Sequence, residues 1–106
     1  MNADAVSEID TMINENGVRV VEFSLKGKSS GPWHHHTNVT EYCYCLRGQL
    51  WIEIEGEKSA LLQPGEKCKI DSNVVHRVRN EVNEDCVFLV IQGVGRYDFV
   101  QISASL

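Results

Sequence analysis

His34-His35-His36-Thr37-Asn38-Val39-Thr40-Glu41-Tyr42-Cys43-Tyr44-Cys45-Leu46-Arg47-Gly48 is the stretch on which the reading of this chain turns. Successive side chains of a β-strand alternate between faces. His34 and His36 therefore point the same way, and His35 points away from them. After a short turn, Glu41, Cys43 and Cys45 share one face of the next strand, with Tyr42, Tyr44 and Leu46 on the other. Far along the chain, His76 opens another strand-like run that ends at Asn80. Two imidazoles from one strand, a carboxylate from the next and a third imidazole from a distant strand can surround one ion. His34, His36, Glu41 and His76 are thus candidate ligands for a divalent first-row metal with coordination positions left for substrate. Ligand type alone does not choose among Fe, Mn, Ni, Co and Zn.

At these residues the chain resembles the cupin superfamily. The first motif of that family is H-x-H, three or four residues, E, six residues, G, and residues 34–48 fit it without a gap. The second is G, about five residues, P-x-G-x-x-H, three residues, N. Gly65, His76 and Asn80 stand at its spacings, while Asp71 and Asn73 replace its proline and inner glycine. Asn tolerates left-handed backbone better than other non-glycine residues, so Asp71-Ser72-Asn73 is still expected to turn. The glycine that often opens the first motif falls on Lys28, between Gly27 and Gly31. The resemblance spans roughly residues 18–100.

Outward from the motifs, short patterned runs alternate with turns. Strands are predicted over Val18 to Leu25, Trp33 to Thr37, Thr40 to Leu46, Gln49 to Glu55, Lys58 to Leu62, Cys68 to Ile70, His76 to Asn80, Cys86 to Gln92 and Tyr97 to Ser103. Gly48, Gly56 and Gly65 mark turns between them. Short strands at such spacing make an all-β sandwich or barrel with antiparallel strands. The resemblance implies a jelly-roll β-barrel over residues 18–106. Before it, residues 1–17 read as an N-terminal arm. Ser7 caps a short helix to about Asn16, with Ile9, Met12 and Ile13 at helical spacing and Gly17 just past its end.

A chain of 106 residues with net charge −5 holds one domain with a modest core. Its ten basic residues are scattered, which argues against a nucleic-acid footprint. No apolar run reaches the length of a membrane span. Met1-Asn2-Ala3-Asp4 lacks the basic and apolar regions of a signal peptide, so the expected setting is the cytoplasm. The four cysteines form no C-x-x-C pair and read as free, buried apolar groups. Tyr42, Tyr44, Trp51 and Trp33 place aromatics on the outer face, and a homodimer is expected on that ground.

The inner lining includes Cys43 after Glu41, Val78 and Asn80 after His76, and Gln92 on the late strand. That strand presents either Phe88, Val90 and Gln92 or Val87, Leu89 and Ile91. The pocket is then small and largely apolar, with Cys43, Val78, Asn80 and Gln92 as candidate substrate contacts. For the polar members a backbone-bonding role competes with a ligand-binding one. A Cys43 thiol beside a bound ion would have a lowered pKa. With Glu41 a ligand and His35 turned outward, no catalytic acid or base stands out. One reading is a small metalloenzyme of dioxygenase, isomerase or lyase type acting on an oxygen-bearing organic molecule. Another is a non-catalytic module that binds or senses a sugar or organic acid with the help of the metal. A third is a barrel that its metal only staples.

Overall fold

The computed structural model describes residues 5–102. Over them the chain forms strands β1 (Val6–Glu15), β2 (Val18–Leu25), β3 (Ser29–Ser30), β4 (His34–His35), β5 (Thr40–Arg47), β6 (Leu50–Ile54), β7 (Ala60–Leu62), β8 (Lys67–Ile70), β9 (His76–Asn80), β10 (Cys86–Gly93) and β11 (Val100–Gln101). One sheet has the order β1-β2-β10-β5-β8, and the other the order β11-β4-β9-β6-β7 with β3 also on β9. The ladders are antiparallel. The predicted all-β jelly roll is the fold of the described residues. No helix among them is long and apolar enough to cross a membrane.

The expected N-terminal helix is not formed: that segment is β1, the edge strand of the first sheet, paired along its length with β2. The ladder register shifts between Glu8 and Asp10 and again between Thr11 and Ile13. The two residues skipped are Ile9 and Met12. Each bulge inserts one residue and breaks the two-residue period, so the apolar spacing mimics a helix. The turn after β1 tells the same story. Asn16 and Gly17 both have positive φ, 54° and 77°, as a two-residue hairpin turn of the Asn-Gly type requires. Gly17 closes a hairpin rather than a helix. Residues 1–4 of the arm, and the end of the last predicted strand at Ser103, lie outside the described residues.

The sheets pack face to face through the alternate residues that the pattern assigned inward. From β5 come Cys43 and Cys45, from β6 Leu50 and Ile52, from β9 Val78, and from β10 Cys86, Phe88 and Val90, all in one buried cluster. Burial of a side chain such as Leu50 or Ile52 contributes about 1.5–3 kcal/mol. Of the two faces open to β10, it is Phe88, Val90 and Gln92 that turn inward. The apolar cluster thins toward one end of the sandwich, where His36, Glu41, His76 and Gln92 are buried in place of aliphatic residues.

Candidate metal centre

Strand pairing brings the motif residues together from both sheets. His34 and His76 are direct cross-strand partners on β4 and β9, and His36 follows immediately after β4. On the opposite sheet Glu41 of β5 faces Gln92 of β10. The rings of His34 and His76 lie 4.4 Å apart, those of His34 and His36 5.0 Å, and those of His36 and His76 5.7 Å. One ring nitrogen from each of these three histidines lies within 4.8 Å of the other two, close enough to hold one metal ion. Glu41 reaches the same point: Oε1 is 2.9 Å from His36 Nε2, and Oε2 is 3.4 Å from His76 Nε2.

The ring orientations are fixed by the main chain. His34 Nδ1 bonds Pro32 O at 2.8 Å, His36 Nδ1 bonds Asp98 O at 2.6 Å, and His76 Nδ1 bonds Val74 O at 2.8 Å. A carbonyl only accepts, so each Nδ1 carries the proton and each Nε2 is left facing inward. This is the second-sphere arrangement that orients a metal-bound histidine. His76 Nε2 has no hydrogen-bond partner although it is buried. With Nδ1 protonated it offers a lone pair toward the Glu41 carboxylate, and only a proton or a cation relieves that opposition. The donor set therefore fits a divalent cation.

Titration of the site follows the same geometry. Burial and the neighbouring His76 push His34 down to about 4. Burial also opposes the charged form of His36, but the hydrogen bond and charge of Glu41 outweigh it and hold His36 above its ordinary value. For Glu41, burial favours the neutral acid, yet His36 and His76 keep it well below the usual carboxylate range. Without a metal, then, the pair favours a proton between His36 and an ionised Glu41, in the place a cation would take.

Other residues read from the sequence fall on either side of the site. Val78 and Gln92 line a cavity of about 390 Å³ next to the imidazoles. Gln92 Nε2 donates to Glu41 Oε1 at 2.7 Å. The Cys43 thiol donates to Glu41 Oε2 at 3.1 Å and is fully buried, away from the cavity wall. Without a bound ion, burial and the Glu41 charge push that thiol up. Asn80 is turned to the main chain: Nδ2 donates to Leu25 O and Glu84 O, and Oδ1 accepts from Val82 N. His35 does not join the histidine group.

Several residues of the site carried no sequence signal. Tyr97, Phe99 and Arg19 line the cavity with Phe23, Phe88 and Val90. The Phe99 ring stacks on His34 at 4.4 Å, and the Tyr97 ring lies 5.3 Å from His36. Asp98 anchors this stretch, its carboxylate accepting from Thr37 N and Oγ1 while its carbonyl holds His36. The outer aromatics are half-covered by cations, Arg77 over Trp33, Arg79 over Trp51 and Lys67 near Tyr44.

The Cupin domain family model matches residues 21–92, and the chain belongs to that family. It is 30% identical over 70 residues to the uncharacterized protein YdbB of Bacillus subtilis (strain 168), an alignment covering 66% of this chain and 58% of that protein. The chain thus spans less than two thirds of that relative. Among solved structures, a conserved protein with a double-stranded β-helix domain from Klebsiella pneumoniae is similar at TM-score 0.79 and 16% identity, with 91% of this chain and 84% of that one covered. The polyketide cyclase RemF from Streptomyces resistomycificus is similar at TM-score 0.80 and 20% identity, with 97% and 75% covered. At these identities the likeness shows the fold.

Proposed function

We propose that this cupin domain is a metalloenzyme that holds one divalent ion with His34, His36, Glu41 and His76 and acts on a small oxygen-bearing organic substrate. The observation that carries the reading is the set of three Nδ1–carbonyl tethers, which leave three Nε2 atoms directed at one point beside an apolar cavity. A bound ion would supply Lewis acidity or O₂ activation, for dioxygenase-, isomerase- or lyase-type chemistry. The chain's own residues shape the rest. Phe23, Phe88, Val90 and Phe99 exclude water, and Gln92 and Cys43 fix the Glu41 carboxylate by donating to its two oxygens. RemF, a polyketide cyclase, is an enzyme built on this fold.

A second reading, a non-catalytic module that binds or senses a small sugar or organic acid, is favoured by one observation. Apart from the ligand set, the polar residues on the cavity wall are Arg19, Gln92, Tyr97 and Gln101, none of them a general base at neutral pH. Metal analysis of protein purified without added metal, followed by O₂ uptake and substrate loss on a panel of small diketones, thiols and uronates, separates the two. Steady turnover abolished by His76→Ala supports the enzyme. Tight metal with no turnover on any member supports the binding module.

The same proposal places the protein in the cytoplasm, in keeping with four free cysteines, and makes it a homodimer. Support for a dimer comes from β1 rather than from the outer aromatics. It is an edge strand exposed on both faces after Val6, with Ile9, Met12 and Ile13 all in solvent.

A further inference from the structure

Among the described residues, Arg19 is the one Lys or Arg side chain on the wall of the cavity. It rises from β2, half-buried, and among the described residues no carboxylate comes within ion-pairing distance of it. Its position is nonetheless well defined. Nη1 donates to Gln92 Oε1 at 2.7 Å, and the guanidinium lies over the Tyr97 ring at 3.9 Å from the centroid. A guanidinium has five N–H donors in a fixed fork; among the described residues this one gives one to Gln92 and lies within reach of the Tyr97 hydroxyl, which leaves others free. A partly desolvated cation with spare donors and no ion-paired carboxylate among the described residues calls for an anion.

The surroundings say which kind. The Tyr97 ring neighbours both Arg19 and the His36 imidazole, the latter at 5.3 Å, and the guanidinium and the imidazoles line the same cavity. Most of the remaining wall is apolar, from Phe23, Val78, Phe88, Val90 and Phe99. A second depression of about 430 Å³ on the far side of Arg19, Gln92 and Tyr97 leads to the β1–β2 turn, and it leaves room for the guanidinium to adjust.

We propose that Arg19 binds the carboxylate of the substrate, so that the site takes small organic acids with an apolar body rather than neutral sugars. The inference rests on the reading of this cavity as the substrate site, but it does not depend on the metal, because the anion contact belongs to Arg19 alone. Charge supports it too: although the chain carries −5 overall, an ion and Arg19 against the single Glu41 would leave this cavity positive.

The test uses matched acids and amides: isobutyrate and isobutyramide, benzoate and benzamide, phenylacetate and phenylacetamide. Affinities are measured by titration calorimetry at pH 7.5 on the full chain, metal-free and zinc-loaded. At least one acid is expected to bind metal-free protein tenfold or more tighter than its amide. Arg19→Gln should remove that preference, and Arg19→Lys should keep part of it. The acid–amide comparison in the unaltered protein needs no variant to fold. Acids that bind no better than amides, an acid preference that survives Arg19→Gln, or no binding by any of the six would each overturn the proposal. Metal content is read separately on the same samples. An Arg19-dependent acid preference in protein that never takes up metal would leave this inference standing and the metalloenzyme reading failed. Tight metal with no acid preference would do the reverse.

Discussion

The side-chain amide of Gln92 is oriented by what lies on either side of it, and it passes that orientation to Glu41. Arg19 can only donate, so Oε1 must face it, and Nε2 is then turned to Glu41 Oε1 at 2.7 Å. Gln92 and Glu41 are also cross-strand partners on β10 and β5, so a rigid ladder sets their spacing. Among known sites, losing such an outer-shell partner lowers metal affinity about 10–100-fold. Gln92→Leu is therefore expected to weaken zinc or cobalt binding by at least about tenfold, measured by competition with a chelator. Unchanged affinity would mean that Glu41 is held without it.

His76→Ala should abolish metal occupancy, because His76 ties β9 to β4 at a shared ion and its Nε2 is buried without any other partner. His35→Ala should leave occupancy intact, since His35 stands outside the converging group. Metal analysis of the two variants after identical purification decides the matter. Equal loss in both would undo the argument from strand parity.

Much of this was legible in the sequence because β alternation is local. The inward choice of Glu41, Cys43 and Cys45 follows from the period of two, and so does the agreement of β2 and β9 with their predicted bounds. The helix read into Ser7 to Asn16 failed because two bulges rewrote that period, and neither leaves a mark in composition. Arg19, Tyr97 and Phe99 were illegible for another reason. They join the site only through the closing of the sandwich, β2 from one sheet and the segment before β11 from the other, and a single side chain carries no spacing to read.

Two positions where the family motif has glycine take left-handed backbone here without it. Lys28 has φ 56° and Asn73 has φ 66°. A side chain with a Cβ costs about 1–2 kcal/mol in that region, and less for Asn. Glycine also raises the entropy of the unfolded chain, which offsets part of the gain. Lys28→Gly is expected to stabilise the protein by up to about 1 kcal/mol, and Asn73→Gly by less. Thermal unfolding should show this as a rise of about 4–8 °C for the full 1 kcal/mol in a domain of this size. A lowered Tm for Lys28→Gly would show that the lysine side chain makes up the strain elsewhere.

Exposed Ile9 and Met12 sit at the two bulges of edge strand β1. If this strand is the dimer face, Ile9→Glu with Met12→Glu should convert a dimer to a monomer in light scattering, with metal content unchanged. A protein that is monomeric before substitution, or a dimer that persists after it, would remove β1 from that role.

The opposed shifts of Glu41 and His36 give the metal-free protein a characteristic pH dependence. Glu41 lies below its ordinary 4.5, so its contribution to stability is present above about that pH and is lost as pH falls through the lower native value. His36 lies above its ordinary 6.5, so its contribution is complete below that pH and is lost as pH rises through the higher native value. Both are in place between 4.5 and 6.5, but His34, held down at about 4, costs stability as pH falls from 6.5, so the metal-free protein should be most stable near pH 6.5. A divalent ion needs His36 neutral and so competes with the same proton. Added zinc should therefore shift the stability optimum upward. Because His36 is held above its ordinary value, loading near neutral pH should release a proton from it. Calorimetry in buffers of different ionisation enthalpy counts that proton. A metal-free protein that grows steadily more stable from pH 6.5 to 8, together with zinc binding that releases no proton, would mean that His36 and Glu41 do not share one.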